Sequence, residues 1–197
     1  RYAGWDLALI FYNGYQNSPL YEQEDDGQQL MLREVHPRMR AWGLTFAKGF
    51  PGGTLRGEGA WNPSLGKAAQ SGGIIRANHL EAVLGIDYTF LENFYWNIQY
   101  FVSSMTENRG AVANPDYQGA TLSVSYKFFD DTLELGLKGI IYTVGEQGGS
   151  AQLYAAYGVG DHWKATLGLT FWGGPKSGTL GQYSDNDLLS FTLRYSF

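Results

Sequence analysis

Three side chains in this 197-residue sequence are of the types a hydrolase uses: His79, Glu81 and Ser103. A histidine can take the proton from a serine hydroxyl, and a carboxylate can hold the imidazole in the tautomer that does so. His79 and Glu81 are two positions apart, so on a strand they share one face. A hairpin turning at Leu91-Glu92-Asn93 brings Ser103 beside them. The plainer reading of the trio is a histidine in a rim hydrogen-bond network, because strand register alone assembles such groups and fold says little about chemistry.

A second constellation is purely charged. Asp6, Arg56, Glu58, Glu81, Asp87, Lys127, Glu134, Lys138, Lys164 and Arg194 all fall on the polar positions of alternating segments. A turn at Asp130-Asp131-Thr132 sets Lys127 opposite Glu134. Arg56 and Glu58 come near Asp87, and Asp6 meets Arg194 if the first and last strands close on each other. Such groups either pair to fill a narrow interior or line a constriction that selects small solutes.

Other candidates fail on spacing. YEQEDDGQQ, residues 21–29, does not follow the calcium-loop pattern, and it reads as a solvated loop, as does Asp185-Asn186-Asp187. In SLGKAAQ, Trp61 stands where a phosphate-binding loop needs its first glycine and Ala68 where it needs Ser or Thr. GGTLRGEG enters a strand with no helix after it. His36 and His162 lie far apart, so neither a metal site nor a cofactor is expected. With no cysteine, thiolate chemistry and disulfides are excluded. A net charge of −5 gives no electrostatic case for nucleic acid.

The elements that must position these groups are strands. Aromatics make up 16% of the chain and there are 27 glycines, while charged residues are only 17%, against roughly 25% in ordinary soluble domains. Period-two alternation recurs and helical periodicity does not. The apolar rows begin with Trp5, Leu7, Leu9 and Phe11, then Trp42, Leu44 and Phe46, then a weaker row with Leu55 and Trp61. The clearest is Leu80, Ala82, Leu84, Ile86, Tyr88 and Phe90. Further rows start at Phe94, Ala120, Leu133, Ala151 and Trp163, and a last one is Phe191, Leu193, Tyr195 and Phe197. That makes about ten strands in a single domain over residues 1–197. No run is long enough for a membrane helix, which needs roughly 20 apolar residues, but a transmembrane barrel signals itself by alternation instead.

Two regularities favour the barrel over a soluble sandwich. Long connections (13–34, 62–76, 104–116, 173–186) and a medium one (144–149) alternate with tight ones (49–53, 91–93, 130–132, 160–162), as in barrels with brief turns at one end. Aromatic residues gather beside the tight turns: Tyr88, Phe90, Phe94, Trp96, Tyr126, Phe128, Trp163, Tyr195 and Phe197. Rings there suit a membrane interface, being apolar at one end and wet at the other.

The terminal SFTLRYSF, ending on Phe197 with Tyr195 two before it, resembles the last strand of Gram-negative outer-membrane β-barrel proteins, and LGIDYTFLENFYWNIQY is similar to segments of porin-like barrels. The resemblance implies recognition by the barrel-assembly machinery, a bacterial outer-membrane location with both termini periplasmic, and contact with outer-membrane lipid and lipopolysaccharide. The expectation is therefore a transmembrane antiparallel up-and-down β-barrel, either complete or the C-terminal part of a larger one. It would pass small solutes as a porin-like channel and would not be an enzyme. The alternatives are a structural, adhesive or partner-docking barrel acting through its loops, and a barrel hydrolase acting on lipid or peptide. Oligomeric state is left open.

Overall fold

The computed structural model describes residues 4–25, 30–112, 116–145, 147–160 and 162–197. The fold is all-β. Ten strands run in antiparallel up-and-down order: β1 (Trp5–Tyr15), β4 (Arg38–Phe50), β5 (Gly53–Ala68), β6 (Ile74–Phe90), β7 (Phe94–Met105), β8 (Asp116–Phe128), β9 (Leu133–Val144), β10 (Gly148–Val159), β11 (Trp163–Gly173) and β12 (Leu188–Tyr195). This is the expected class, the up-and-down sheet from which transmembrane barrels are built. A separate hairpin joins β2 (Leu20–Asp25) to β3 (Leu30–Val35). No helix among the described residues is long and apolar enough to cross a membrane, which says nothing of crossing by strands.

The strands are longer than the apolar rows suggest. β5, which reads weakly because Gly57 and Gly59 interrupt its row, runs unbroken from Gly53 to Ala68. The expected loop at 62–76 is consequently mostly strand, with a turn at 69–73 where Gly72 and Gly73 take φ of 85° and 82°. The expected loop at 13–34 is corrected too, because it contains the β2–β3 hairpin, where Glu22 faces Arg33 and pairs with it at 2.6 Å. Of the acidic stretch at 21–29, residues 26–29 lie outside the described residues, as do Arg1, residues 113–115 and Asp161 of the turn at 160–162.

The residues group into two compact units. One comprises Arg1–Ala47, Gly57–Val83 and Val102–Tyr117, and the other Lys48–Arg56, Leu84–Phe101 and Gln118–Phe197. In the first unit, Phe11 lies against Trp42 at 4.5 Å and Trp5 against Phe46 at 5.8 Å, so the alternate residues of β1 and β4 share a face. Phe46 covers Gly57, where a Cβ would come within 2.4 Å of its ring. The hairpin's base is clamped by Gln16. Its amide donates to Pro37 O at 2.8 Å, and its side chain exchanges two hydrogen bonds with the Gly66 backbone. His36 adds a contact from Nδ1 to Gln16 O at 2.8 Å and one from Nε2 to Glu34 at 3.1 Å.

In the second unit the register makes the two faces explicit. Val124, Leu137, Leu153, Leu169 and Leu189 form one row across five strands, and Tyr126, Leu135, Ala155, Leu167 and Phe191 the next. On the opposite face, Lys127, Glu134, Ala156, Thr166 and Thr192 form a row, beside Ser125, Gly136, Tyr154, Gly168 and Ser190. The aromatics near the tight turns touch in chains: Phe50–Tyr88–Trp96, Phe94–Tyr126–Phe128 and Trp163–Tyr195–Phe197. The turns themselves hold left-handed residues, Leu91 and Glu92 in one, Phe129, Asp130 and Asp131 in the other. That conformation costs roughly 1 kcal/mol for a non-glycine residue.

Tyr154 lies flat over Gly136, so a Cβ on Gly136 would come within 2.3 Å of the ring. Gly136→Ala is expected to lower stability by about 1–3 kcal/mol through overpacking. Gly158→Ala, with its nearest neighbour at 3.7 Å, should change it by less than about 0.5 kcal/mol. Urea unfolding from lipid vesicles measures both.

The clamp should also respond to pH. Hydrogen bonding to Gln16 O, and then to Glu34, raises the His36 pKa above its ordinary 6.5. A raised pKa stabilises the clamp fully below that ordinary value, and the effect is lost as pH climbs through the raised one. Exchange of the Gln16 amide, corrected for its intrinsic rate, should be more protected at pH 5.5 than at pH 8.5. His36→Gln should abolish the difference.

Candidate functional site

The polar face of the second unit carries most of the predicted charges. Glu134 is the hub. It accepts a hydrogen bond from Tyr154 Oη at 2.6 Å and faces Lys164 Nζ at 3.6 Å. Lys127 stands opposite Glu134 in register but pairs with Asp131 instead, at 3.2 Å, because the turn folds that carboxylate back toward it. Lys138 Nζ sits 5.2 Å from the centre of the Tyr154 ring, within the range of a cation–π contact. Arg194 pairs with Lys164 in register. Arg56 bonds Asp87 directly. Tyr154 is the member that charge alone could not reveal. Its signal in the sequence is its place on the polar positions of a strand whose other tyrosine, Tyr157, lies on the apolar ones.

His79 and Ser103 do meet. Nε2 and Oγ are 2.8 Å apart, while Glu81 Oε1 is 3.9 Å from Nδ1. The hairpin through residues 91–93 thus delivers the register read from sequence. Burial decides what the pair can do. Ser103 is 1% exposed and His79 4%, and Ala77 and Met105 at 1% and Asn62 at 6% are also buried in this unit. A nucleophile must reach its substrate within about 3 Å, and this hydroxyl is sealed. Glu81 is too far from Nδ1 for a hydrogen bond. The pair serves as a satisfied internal hydrogen bond.

Above it, Asp116 gathers the loop after β7. It accepts from Ser104 Oγ at 2.7 Å, from the Met105 amide at 3.1 Å and from Arg109. Asn108 reaches Arg76 O at 2.8 Å, and the Gln70 amide bonds Ala111 O. This tie between loops has no sequence motif. Among the described residues, no group of three His, Asp or Glu side chains is arranged to hold a metal ion. His162 Nδ1 is engaged with Ser196 O at 3.0 Å. Glu58 lies on β5 and Asp6 on β1.

No protein-family model and no curated protein matches the chain. Among solved structures it is similar to OmpT, an in-vitro folded outer membrane protein of Vibrio cholerae in its trimer form. The identity is 14% and the TM-score 0.49, over 96% of this chain and 64% of that one. The chain thus spans about two thirds of the length of that protein.

Ser103→Ala removes one internal hydrogen bond and should cost about 1 kcal/mol of stability. Assays on ester and peptide substrates should find the variant no different from the wild-type chain. A hydrolytic activity lost in Ser103→Ala would contradict this reading.

Proposed function

We propose that this chain is a bacterial outer-membrane β-barrel protein acting as a porin-like channel for passive passage of small solutes. One observation carries the reading. Among the described residues, the only buried apolar side chains besides Pro37 are Ala77, Met105 and Ala156. Large apolar residues instead stand exposed along one face: Leu84 at 52%, Leu153 at 49%, Leu167 at 49% and Leu193 at 55%. In water that face is an untenable surface. In a bilayer it meets hydrocarbon, and the opposite face, rich in Ser, Thr, Gly and paired charges, lines the interior.

The remaining features fit the same orientation. Aromatic chains beside the tight turns suit the periplasmic interface, and the hairpin and long connections suit the extracellular end. Small residues such as Ser123, Ser125, Thr166 and Gly168 stand between the charged side chains on that face. Water-filled space lined by charge conducts ions, and the reading requires no cofactor.

Planar bilayers test the reading. The chain should add stepwise conductance that grows in proportion to salt concentration. Verified insertion at high protein load with no conductance would overturn the channel.

A further inference from the structure

The polar face of the second unit is positive, in a chain whose net charge is −5. Between Gly119 and Arg194 its strand positions hold four cations, Lys127, Lys138, Lys164 and Arg194, and one carboxylate, Glu134. The turn after β8 adds Asp131, which answers Lys127. Lys164 has only a share in Glu134, which also accepts from Tyr154. Lys138 rests on the Tyr154 ring. Arg194 is exposed, and among the described residues it makes no ion pair.

The register sharpens this imbalance at one place. The residue directly opposite Arg194 on β11 is Lys164, a second cation. Like charges directly opposite on one face of a sheet repel. One shared carboxylate, 3.6 Å from Lys164 Nζ, does not offset two of them. The surroundings are small and hydroxylic. The next positions on the same face are Thr166 and Thr192, opposite each other. On the other side of Lys164, β10 presents Gly158, where even a Cβ would find its nearest neighbour 3.7 Å away. No side chain from that position crowds the lysine.

We infer that Lys164 and Arg194, with the Thr166 and Thr192 hydroxyls, bind a small phosphate-like oxyanion in passage. The inference deepens the proposed function and rests on it, since it takes this face to line the water-filled interior. A guanidinium offers two parallel donors to two oxygens of one tetrahedral anion, and an ammonium beside it can take a third. Two cations suit two negative charges. Chloride has one charge and no pair of oxygens for the guanidinium to grip. The position narrows the choice further. A lipid phosphate would have to draw its tails off the apolar face, and an acidic macromolecule would not enter a narrow interior.

The test places the whole chain in phosphatidylcholine nanodiscs and measures binding of radiolabelled inorganic phosphate by equilibrium dialysis, at mildly alkaline pH where phosphate carries two charges. Binding should saturate, and chloride in tenfold excess should not displace it. Arg194→Gln should lower affinity roughly tenfold. Its fold should be intact, because among the described residues no hydrogen bond or ion pair uses the Arg194 side chain. Lys164→Gln should lower affinity severalfold, while Lys127→Gln, which removes a cation already paired with Asp131, should leave it unchanged. Glu134→Gln should raise affinity severalfold, since it frees Lys164 and removes a repelling charge; a misfolded chain would not gain binding.

Saturable binding that Arg194→Gln and Lys164→Gln leave untouched overturns the inference. So does displacement by chloride as readily as by phosphate, which would reduce the site to general screening. Conductance in planar bilayers without phosphate binding sinks the site and leaves the channel standing. Phosphate binding without conductance sinks the channel and leaves the site.

Discussion

Hydrogen bonding between neighbouring strands is the interaction on which the rest of this structure depends. With so few apolar side chains buried among the described residues, burial does little to hold the strands together. Each strand is fixed by the one beside it, through ladders such as the eleven-residue pairing of β10 with β11. In water a backbone hydrogen bond adds only about 1 kcal/mol net. In hydrocarbon the alternative is an unpaired polar group, which costs several kcal/mol. The same ladder that would be marginal in one solvent is decisive in the other.

The ladder also dictates where side chains go, and the two faces solve different packing problems. On the apolar side, rings and leucines spread over glycines, as Phe46 does over Gly57. On the polar side, charges cannot be left alone and are shared out. Glu134 answers to both Tyr154 and Lys164, and Asp131 takes Lys127. Tyr154 joins the two themes. Its ring fills the space left by Gly136, its hydroxyl satisfies Glu134, and its π face meets Lys138. A small residue at position 136 is thus part of the electrostatics of position 134.

Strand count, direction and facing were legible in the sequence because alternation is a local signal that a two-sided solvent imposes on every strand. The Lys127–Glu134 and His79–Ser103 juxtapositions were legible because tight turns fix register. What escaped was whatever depends on side-chain reach. Lys127 is long enough to choose Asp131 over its registered partner, and nothing local to either residue says so. The β2–β3 hairpin escaped because neither of its faces alternates cleanly: Val35 shares one with Glu22 and Arg33, and Leu32 shares the other with Gln23 and Glu34, so the segment reads as a loop. The Asp116 hub joins donors brought close by the loop after β7, a spacing no motif encodes. The burial of Ser103, which separates an internal hydrogen bond from a reactive pair, is likewise a property of the assembled fold.

On β4, Arg40 and Lys48 bracket Trp42, Leu44 and Phe46 on the face proposed to meet lipid, which bears on bilayer thickness. From Arg40 to Lys48 is eight steps along a strand, or about 27 Å. Leaning at roughly 40°, as barrel strands do, the segment rises only about 21 Å. The flexible stems of arginine and lysine can stretch outward to meet head groups a few ångströms beyond. On the proposed reading, in which this face meets lipid, the apolar stretch between those cations would suit a thin membrane such as the bacterial outer membrane, and a thick one would have to pucker around it.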